Sequence, residues 1–190
     1  MKVSREQAAM NRERVVETAS RLFRERGYGG IGVADLMRSA GLTHGGFYGN
    51  FKSKEDLMAE AVAHAIDASL KQWDGMLAQQ PEHALEAVVG AYLSPRHRDH
   101  PGAGCTMAAL GPEVARLTEP VRCAVTDGVH KQLERLAALM PPAAEAEKRQ
   151  AAMVTYASMV GALVLARAVN DEALSQEIMN AVHEAVTGIG

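Results

Sequence analysis

The chain has 190 residues, long enough for one large domain or for a small domain joined to a larger one. Its residues are 47% hydrophobic but only 4% aromatic, a composition that argues against a β-sandwich and favours helices. Residues 1–55 hold ten basic and six acidic residues, whereas residues 56–190 hold ten and 17. The basic N-terminal part therefore indicates a polyanionic partner.

Three features bear on where the protein works. The charged start MKVSREQAAMNRERVV lacks the apolar region of a secretory signal, so we expect a cytoplasmic protein. The uncharged run Gln150–Ala166 is shorter than a membrane span and contains polar residues, so we expect a buried helix and no membrane partner. The two cysteines, Cys105 and Cys123, are too few for a disulfide framework and are expected to be free thiols.

The first three predicted helices lie close together. Apolar residues at helical spacing predict a helix over Glu6–Arg26, closed by Gly27. A second, short helix is predicted over residues 33–41, and Thr43 is a good N-cap for a third over His44–Asn50. Two short helices joined by a tight turn that contains glycine form a helix-turn-helix.

The rest of the chain also predicts helices, which makes the fold class all-α: an N-terminal three-helix helix-turn-helix domain followed by a larger helical domain. Ser53 is expected to cap a long helix, Gly111-Pro112 to end one that begins at Cys105, and Asp171 to cap the last one. The segment SPRHRDHPGAG is expected to be a loop. The remaining predicted helices span, in chain order, residues 54–80, 82–93, 119–140, 144–168 and 172–187.

The third predicted helix raises a question, because Gly45, Gly46 and Gly49 lie inside about two turns and each interior glycine costs about 0.8–1 kcal/mol relative to alanine. In a helix-turn-helix the second helix enters the major groove of DNA, where glycines let the backbone come close. Phe47 and Phe51 are four residues apart and are expected to dock this helix onto its neighbours. Tyr48 and Asn50 are then left to point elsewhere.

Residues 9–57 resemble the DNA-binding domain of the TetR family of bacterial repressors, through the motif AGLTHGGFYGNFKSKEDL. The resemblance implies a homodimer with a DNA-binding domain at residues 1–55, a larger effector-binding and dimerisation domain at residues 56–190, and an operator with approximate two-fold symmetry. It departs from the family pattern at GGIGVADL, where Gly30 and Gly32 replace the Ser or Thr that commonly starts the second helix.

The resemblance also assigns roles within the motif. It implies that Thr43 caps the recognition helix and touches a phosphate, that His44, Gly45 and Gly46 face base edges, and that three further residues contact the DNA backbone. Those three are Tyr48, Asn50 and Lys54. Because so little side chain is available for direct readout, we expect His44, Asn50 and Arg38 to carry most of it and DNA shape to supply the remainder.

A repressor of this kind needs a cavity whose filling disfavours the DNA-bound state. The candidate lining consists of apolar or adaptable side chains, among which Tyr156 can orient a polar group of a small apolar, aromatic effector. The alternative is plain core packing. The candidates are Trp73, Met76, Tyr92, Cys105, Met107, Leu110, Met153, Tyr156 and Met159.

Cys105 is expected at the start of a helix, where the positive end of the helix dipole favours a reactive thiolate and a sensor of electrophiles or oxidants. The alternative is a small buried residue. His97, Asp99, His100 and Cys105 are metal-ligating residue types, but no spacing matches a standard zinc pattern, so no metal and no cofactor are predicted. Cys123 is expected on a solvated helix face.

Dimerisation is expected through the last two helices, in a four-helix bundle across a two-fold axis. Small residues there, Ala157 with Gly161 and Ala162 with Ala166, would let two helices approach closely, unless they pack inside the protomer. The sequence contains no nucleophile elbow, phosphate-binding loop or paired carboxylates, so no enzyme activity is predicted. The alternative function is a helical partner-binding protein with a degenerate helix-turn-helix.

Overall fold

The structure is a computed structural model that describes residues 4–188. Within that range the chain forms α-helices and short 3₁₀ turns and no strand, which confirms the all-α prediction. The 3₁₀ turns lie at His44–Gly46, Pro81–His83 and Pro101–Ala103. The helices are α1 (Arg5–Arg26), α2 (Val33–Ser39), α3 (Lys54–Gln79), α4 (Ala84–Tyr92), α5 (Pro95–Asp99), α6 (Thr106–Val114), α7 (Glu119–Ala137), α8 (Glu145–Ala168) and α9 (Glu172–Thr187).

Several helix ends are fixed by the capping residues that the sequence indicates. Gly27 ends α1 with a φ of 75°, a left-handed conformation that favours glycine. The Ser53 hydroxyl accepts a hydrogen bond from the Asp56 N–H at 3.0 Å, and an Asp171 carboxylate oxygen accepts one from the Leu174 N–H at 3.1 Å. These contacts satisfy backbone donors that the first turn of a helix leaves free, so α3 and α9 begin where they were expected.

The first of two apolar cores holds the N-terminal helices together. Phe23 of α1, Met37 of α2, Leu57 of α3 and Val121 of α7 are all buried in it. Because α6 and α7 also contribute to this core, the N-terminal helices pack directly on the rest of the chain. The expected boundary at residues 55/56 falls inside the continuous helix α3 and stays a prediction.

The second core is enclosed by the C-terminal half of α3 and by α4, α6, α7, α8 and α9. It contains Trp73, Val89, Leu136 and Met179, all buried. By length and composition α8 could span a membrane, but 39% of its most apolar stretch is buried within this chain. It packs between α7 and α9 as a core helix, and its outer face remains apolar.

Three details of the predicted elements were wrong. The segment after residue 94 is not a plain loop, because it forms α5 and a 3₁₀ turn. Pro112 does not end α6, which continues to Val114; a proline removes only one hydrogen bond, here the one to the Ala108 carbonyl. The segment His44–Asn50 is not a helix but a single 3₁₀ turn followed by a turn. Its three glycines disfavour a regular helix, and packing of the phenylalanines stabilises the irregular conformation.

Candidate nucleic-acid interface and effector site

The recognition segment, residues 43–51, is anchored by two phenylalanines. Phe47 has 0% of its surface exposed and Phe51 is also buried, with their ring centroids 5.6 Å apart. Both belong to the first core, beside Met37 of α2. A short 3₁₀ turn has little stability of its own, so these two rings hold the segment against α1 and α2.

The opposite side of the recognition segment is open to solvent. Thr43, His44, Gly45 and Gly46 are exposed, and Tyr48 is 69% exposed with its ring packed edge-on against His44. No side chain from elsewhere lies within 4 Å of a Cβ built on Gly45. The segment therefore presents bare backbone flanked by one imidazole and one phenol, a shape that can approach a phosphate backbone closely.

Three of the predicted DNA contacts already have partners within the chain. The Asn50 amide donates to the Gly46 carbonyl at 2.7 Å, and Arg38, exposed on α2, pairs with Asp35. The Lys54 ammonium donates to the Tyr28 carbonyl and lies 4.1 Å from the centroid of the Tyr28 ring. Asn50 and Lys54 thus brace the helix-turn-helix, and either would have to exchange a partner in order to reach DNA.

Cys105 lies at the N-terminal end of α6, with 7% of its surface exposed. Its backbone N–H donates to His97 Nε2 at 2.8 Å, so His97 carries its proton on Nδ1, which donates to the Tyr92 carbonyl at 2.7 Å. Burial lowers the pKa of His97 and favours this neutral form. Both ring nitrogens are occupied, and nowhere in residues 4–188 do three His, Cys, Asp or Glu side chains form a group that could hold a metal ion.

Two tyrosine hydroxyls lie beside the Cys105 sulfur. Burial, with the neighbouring sulfur as the next contribution, raises the pKa of both Tyr92 and Tyr156, so both phenols stay protonated. The Tyr156 hydroxyl donates to Gln132 Oε1 at 2.8 Å. The Tyr92 hydroxyl is buried and has no hydrogen-bond partner among the described residues.

Two arginines border the same region. Arg24 of α1 donates from Nε and Nη2 to the Gly102 carbonyl at 3.1 and 2.6 Å, and Arg167 of α8 donates from Nε and Nη2 to the carbonyls of Arg98 and His97 at 3.0 and 2.7 Å. Burial lowers the pKa of both, that of Arg24 to about 10. Within residues 4–188 neither guanidinium forms an ion pair. We call this set the Cys105 site: Arg24, Tyr92, His97, Cys105, Tyr156 and Arg167.

Helix α6 connects the Cys105 site with the DNA-binding helices. Cys105 precedes its first turn, and Glu113 near its other end accepts a hydrogen bond from the Tyr28 N–H at 2.8 Å. Arg24 makes a second link, from α1 to Gly102 just before Cys105. A shift of α6 would therefore displace the turn between α1 and α2.

Comparison with protein families identifies both halves of the chain. Residues 15–61 match the family described as bacterial regulatory proteins, tetR family, and residues 81–182 match the tetracyclin repressor-like C-terminal domain. The second match alone spans more than half of the chain. This chain belongs to the TetR family. It is thus a TetR-type transcriptional regulator with a DNA-binding helix-turn-helix.

Individual proteins that are similar to this chain are also named as transcriptional regulators. The HTH-type transcriptional repressor NemR of Escherichia coli is 25% identical over 166 residues, which cover 82% of this chain and 83% of that protein. The Bacillus subtilis regulator YerO is 29% identical over 93 residues, which cover 47% of this chain but only 32% of YerO. The crystal structure of the reduced form of E. coli NemR has the same fold, with a TM-score of 0.78, 23% identity and coverage of 95% and 96% of the two chains. A TetR-family regulator from Agrobacterium tumefaciens has a TM-score of 0.76, 21% identity and coverage of 94% and 98%.

Most of the expected effector-pocket residues of this TetR-family chain lie in the second core. Trp73, Tyr92, Cys105, Tyr156 and Met159 are buried there, with Met76 and Met107 partly buried at its edge. Two of the predicted residues lie outside the second core. Leu110 belongs to the first core because it points from α6 toward α1 and α3, and Met153 is 44% exposed because it lies on the outer face of α8.

The predicted dimer residues divide between two faces of α8. Ala162 and Ala166 are buried inside the protomer, so their assignment to a dimer surface was wrong. Ala157 is exposed and Gly161 partly exposed, on a face that also presents Val154 and Leu165, each 55% exposed. These two remain predicted dimer contacts.

Sequence reasoning missed Arg24, Arg167 and Gln132. Both arginines occupy the last turn of a helix, where a cation is common on the surface because it complements the helix dipole. Gln132 lies within the amphipathic pattern of α7. It is buried, and its side-chain oxygen accepts a hydrogen bond from the Tyr156 hydroxyl. The signal for these residues is the three-dimensional contact.

Proposed function

We propose that this TetR-family regulator is a cytoplasmic repressor that binds a palindromic operator as a dimer and is released by a small apolar, aromatic or thiol-reactive effector. The observation that carries the effector part is the Cys105 site: a buried thiol in the same core as two buried tyrosines, at the end of the helix that contacts the DNA-binding helices. The relatives NemR, KstR2 and DhaR are each named as transcriptional repressors, which supports repression here.

Release of DNA would follow from movement of α6. An effector that enters the second core beside Cys105, or that adds to its sulfur, needs volume that the packed core does not offer, so it favours a state in which α6 has shifted. The hydrogen bonds from Arg24 to Gly102 and from the Tyr28 N–H to Glu113 would carry that shift to α1 and to the turn after it. The recognition segments of a dimer would then lose the spacing that two half-sites require.

Dimerisation would cover the outer face of α8 and the adjacent face of α9. Val154, Val164, Leu165 and Leu174 are exposed there, and Ala157 and Gly161 leave room for a second helix to approach. Exposed apolar patches of this kind mark interaction sites. A second copy of this chain, related by two-fold symmetry, would give the bundle of four helices that the resemblance implies.

Selection of random duplex DNA by the purified protein tests the proposal most directly. Recovery of two inverted half-sites supports a dimeric DNA reader, and titration of the recovered site with aromatic compounds and with a thiol-reactive electrophile tests release. If no sequence is enriched even at low salt, where phosphate contacts are strongest, the repressor proposal fails and the partner-binding alternative takes its place.

The recognition segment should separate phosphate contact from base readout. We expect Tyr48→Phe to weaken binding by a similar factor for every sequence, because it removes a hydroxyl proposed to bind phosphate. His44→Ala should instead relax the preference at one base pair in each half-site. Binding to the site with the preferred base should weaken by about 1–3 kcal/mol, and binding to the other bases should change less. Binding measurements on single-base variants of the recovered site distinguish the two, and identical profiles for both variants would refute these assignments.

Cys105 provides the test of thiol sensing. Cys105→Ser should leave operator affinity within about twofold of the parent, because the change is small and distant from the recognition segment. It should abolish release by a thiol-reactive electrophile such as N-ethylmaleimide. Cys123→Ser is the matched control, since Cys123 is exposed on α7 and should react without causing release. An unchanged response in Cys105→Ser, or a lost response in Cys123→Ser, would contradict a sensing role for Cys105.

A further inference from the structure

The Cys105 site contains two guanidinium groups that form no ion pair among residues 4–188. Arg167 is half-buried, and its Nη1 atom is itself buried with no hydrogen-bond partner among the described residues, while the half-buried Arg24 forms no ion pair with a carboxylate there. By contrast Arg98, the residue after His97, is paired with both Asp99 and Glu172. A buried cation that lacks a counter-ion is costly, so an anion that enters here would be bound favourably.

An unpartnered hydroxyl points to the same conclusion. Tyr92 is 5% exposed, its hydroxyl has no hydrogen-bond partner among the described residues, and its ring packs edge-on against His97, whose carbonyl accepts a hydrogen bond from Arg167. Native proteins rarely leave buried donors unsatisfied, and those that do occur call for an explanation such as an absent ligand. Because its pKa is raised, the Tyr92 hydroxyl keeps its proton and can donate a hydrogen bond to an oxyanion.

The side chains packed around the Tyr92 hydroxyl are mainly apolar. Trp73, Val89, Leu133 and Met159 belong to the same core, and Met107 packs at its edge. A ligand that satisfies the donors must therefore bring one anionic group on an apolar body. A planar carboxylate suits a guanidinium and a phenol together, since its two oxygens can accept from both.

We propose that the second core binds a small aromatic carboxylic acid, with its carboxylate accepting hydrogen bonds from Arg167 Nη1 and the Tyr92 hydroxyl and its ring among the apolar side chains. This proposal rests on the proposed function in placing the effector beside Cys105. It goes further by naming the charge and the chemical class of that effector, and by assigning two residues that discriminate acids from neutral isosteres.

Isothermal titration calorimetry with 2-naphthoate and 2-naphthamide tests the charge directly, because the two probes share one body and differ in the anion. We expect the full chain to bind the acid at least about tenfold more tightly than the amide, the factor that one charge-assisted hydrogen bond supplies. Arg167→Met and Tyr92→Phe should each weaken binding of the acid more than binding of the amide and so remove most of that preference. Arg98→Met is the matched control and should retain the preference, because Arg98 already has carboxylate partners.

Equal binding of acid and amide, or no saturable binding of the acid, would overturn the proposal. If Arg167→Met does not fold, Tyr92→Phe, which removes one oxygen atom, decides alone. The DNA experiment is independent of this one: a recovered operator without acid preference refutes only the carboxylate site, and acid preference without a recovered operator refutes only the repressor. Cys105→Ser should keep the acid preference, since the sulfur is not one of the two proposed donors.

Discussion

Phe47→Ala should remove about 3–5 kcal/mol from the free energy of unfolding, the usual cost of truncating a fully buried phenylalanine. Phe47 has no exposed surface, contacts the rings of Tyr48 and Phe51, and fixes a segment that has only one 3₁₀ turn of its own. Because whole domains are stable by only about 5–15 kcal/mol, this loss is a large fraction of the total. Urea denaturation of the purified variant measures it.

Tyr48→Ala is the matched control, since the neighbouring ring is 69% exposed. It should change the free energy of unfolding by less than about 0.5 kcal/mol and yet weaken DNA binding. The two variants thus separate the buried face of the recognition segment from its exposed face. Equal stability losses in the two would mean that the segment is not anchored through Phe47.

Several helix ends could be predicted because their signals are local. A hydrophobic period, a capping serine or aspartate and a closing glycine act within a few residues, so the beginnings of α3 and α9 and the end of α1 were correct. The recognition segment was less regular than expected, because tertiary packing of Phe47 and Phe51, and not helix propensity, determines its conformation.

Faces of the C-terminal helices could not be predicted in the same way. Helix α8 is apolar on more than one side, so its period does not say whether Met153 or Met159 points inward. Met159 is buried and Met153 exposed because α7 and α9 cover only part of its surface. The same ambiguity placed Ala162 and Ala166 on the wrong face.

The two arginines of the Cys105 site could not be predicted from the local sequence, for a different reason. Arg24 and Arg167 are 143 positions apart in the numbering, and each hydrogen bonds to backbone carbonyls in the segment that leads to Cys105. Carbonyl acceptors exist at every residue and leave no mark in the sequence. Only the fold therefore reveals that two cations without ion-pair partners border one thiol.

Gly30→Ala is expected to have the second large effect, in the turn between α1 and α2. A Cβ at Gly30 would come within 2.9 Å of the Arg26 carbonyl carbon and closer still to its oxygen, so the backbone itself would have to move. Overpacking of this kind costs about 1–3 kcal/mol of stability. The nearest atoms belong to the backbone and cannot move aside as the end of a flexible side chain can, so we expect Gly30→Ala to cost an amount near the upper limit. The turn carries the Tyr28 contacts to Lys54 and Glu113, so operator affinity should also fall.

Gly29→Ala supplies the control, because a Cβ there meets nothing within 4 Å and the two glycines are adjacent. Neither has a positive φ, so the difference between the variants reports close approach and not backbone conformation. Gly29→Ala should match or slightly exceed the parent in stability, since alanine narrows the unfolded ensemble. If thermal unfolding and operator titration give the same values for both variants, then the contact between Gly30 and the end of α1 does not constrain the helix-turn-helix. If only Gly30→Ala loses both stability and DNA affinity, the turn must be closely packed for the recognition segment to be held in place.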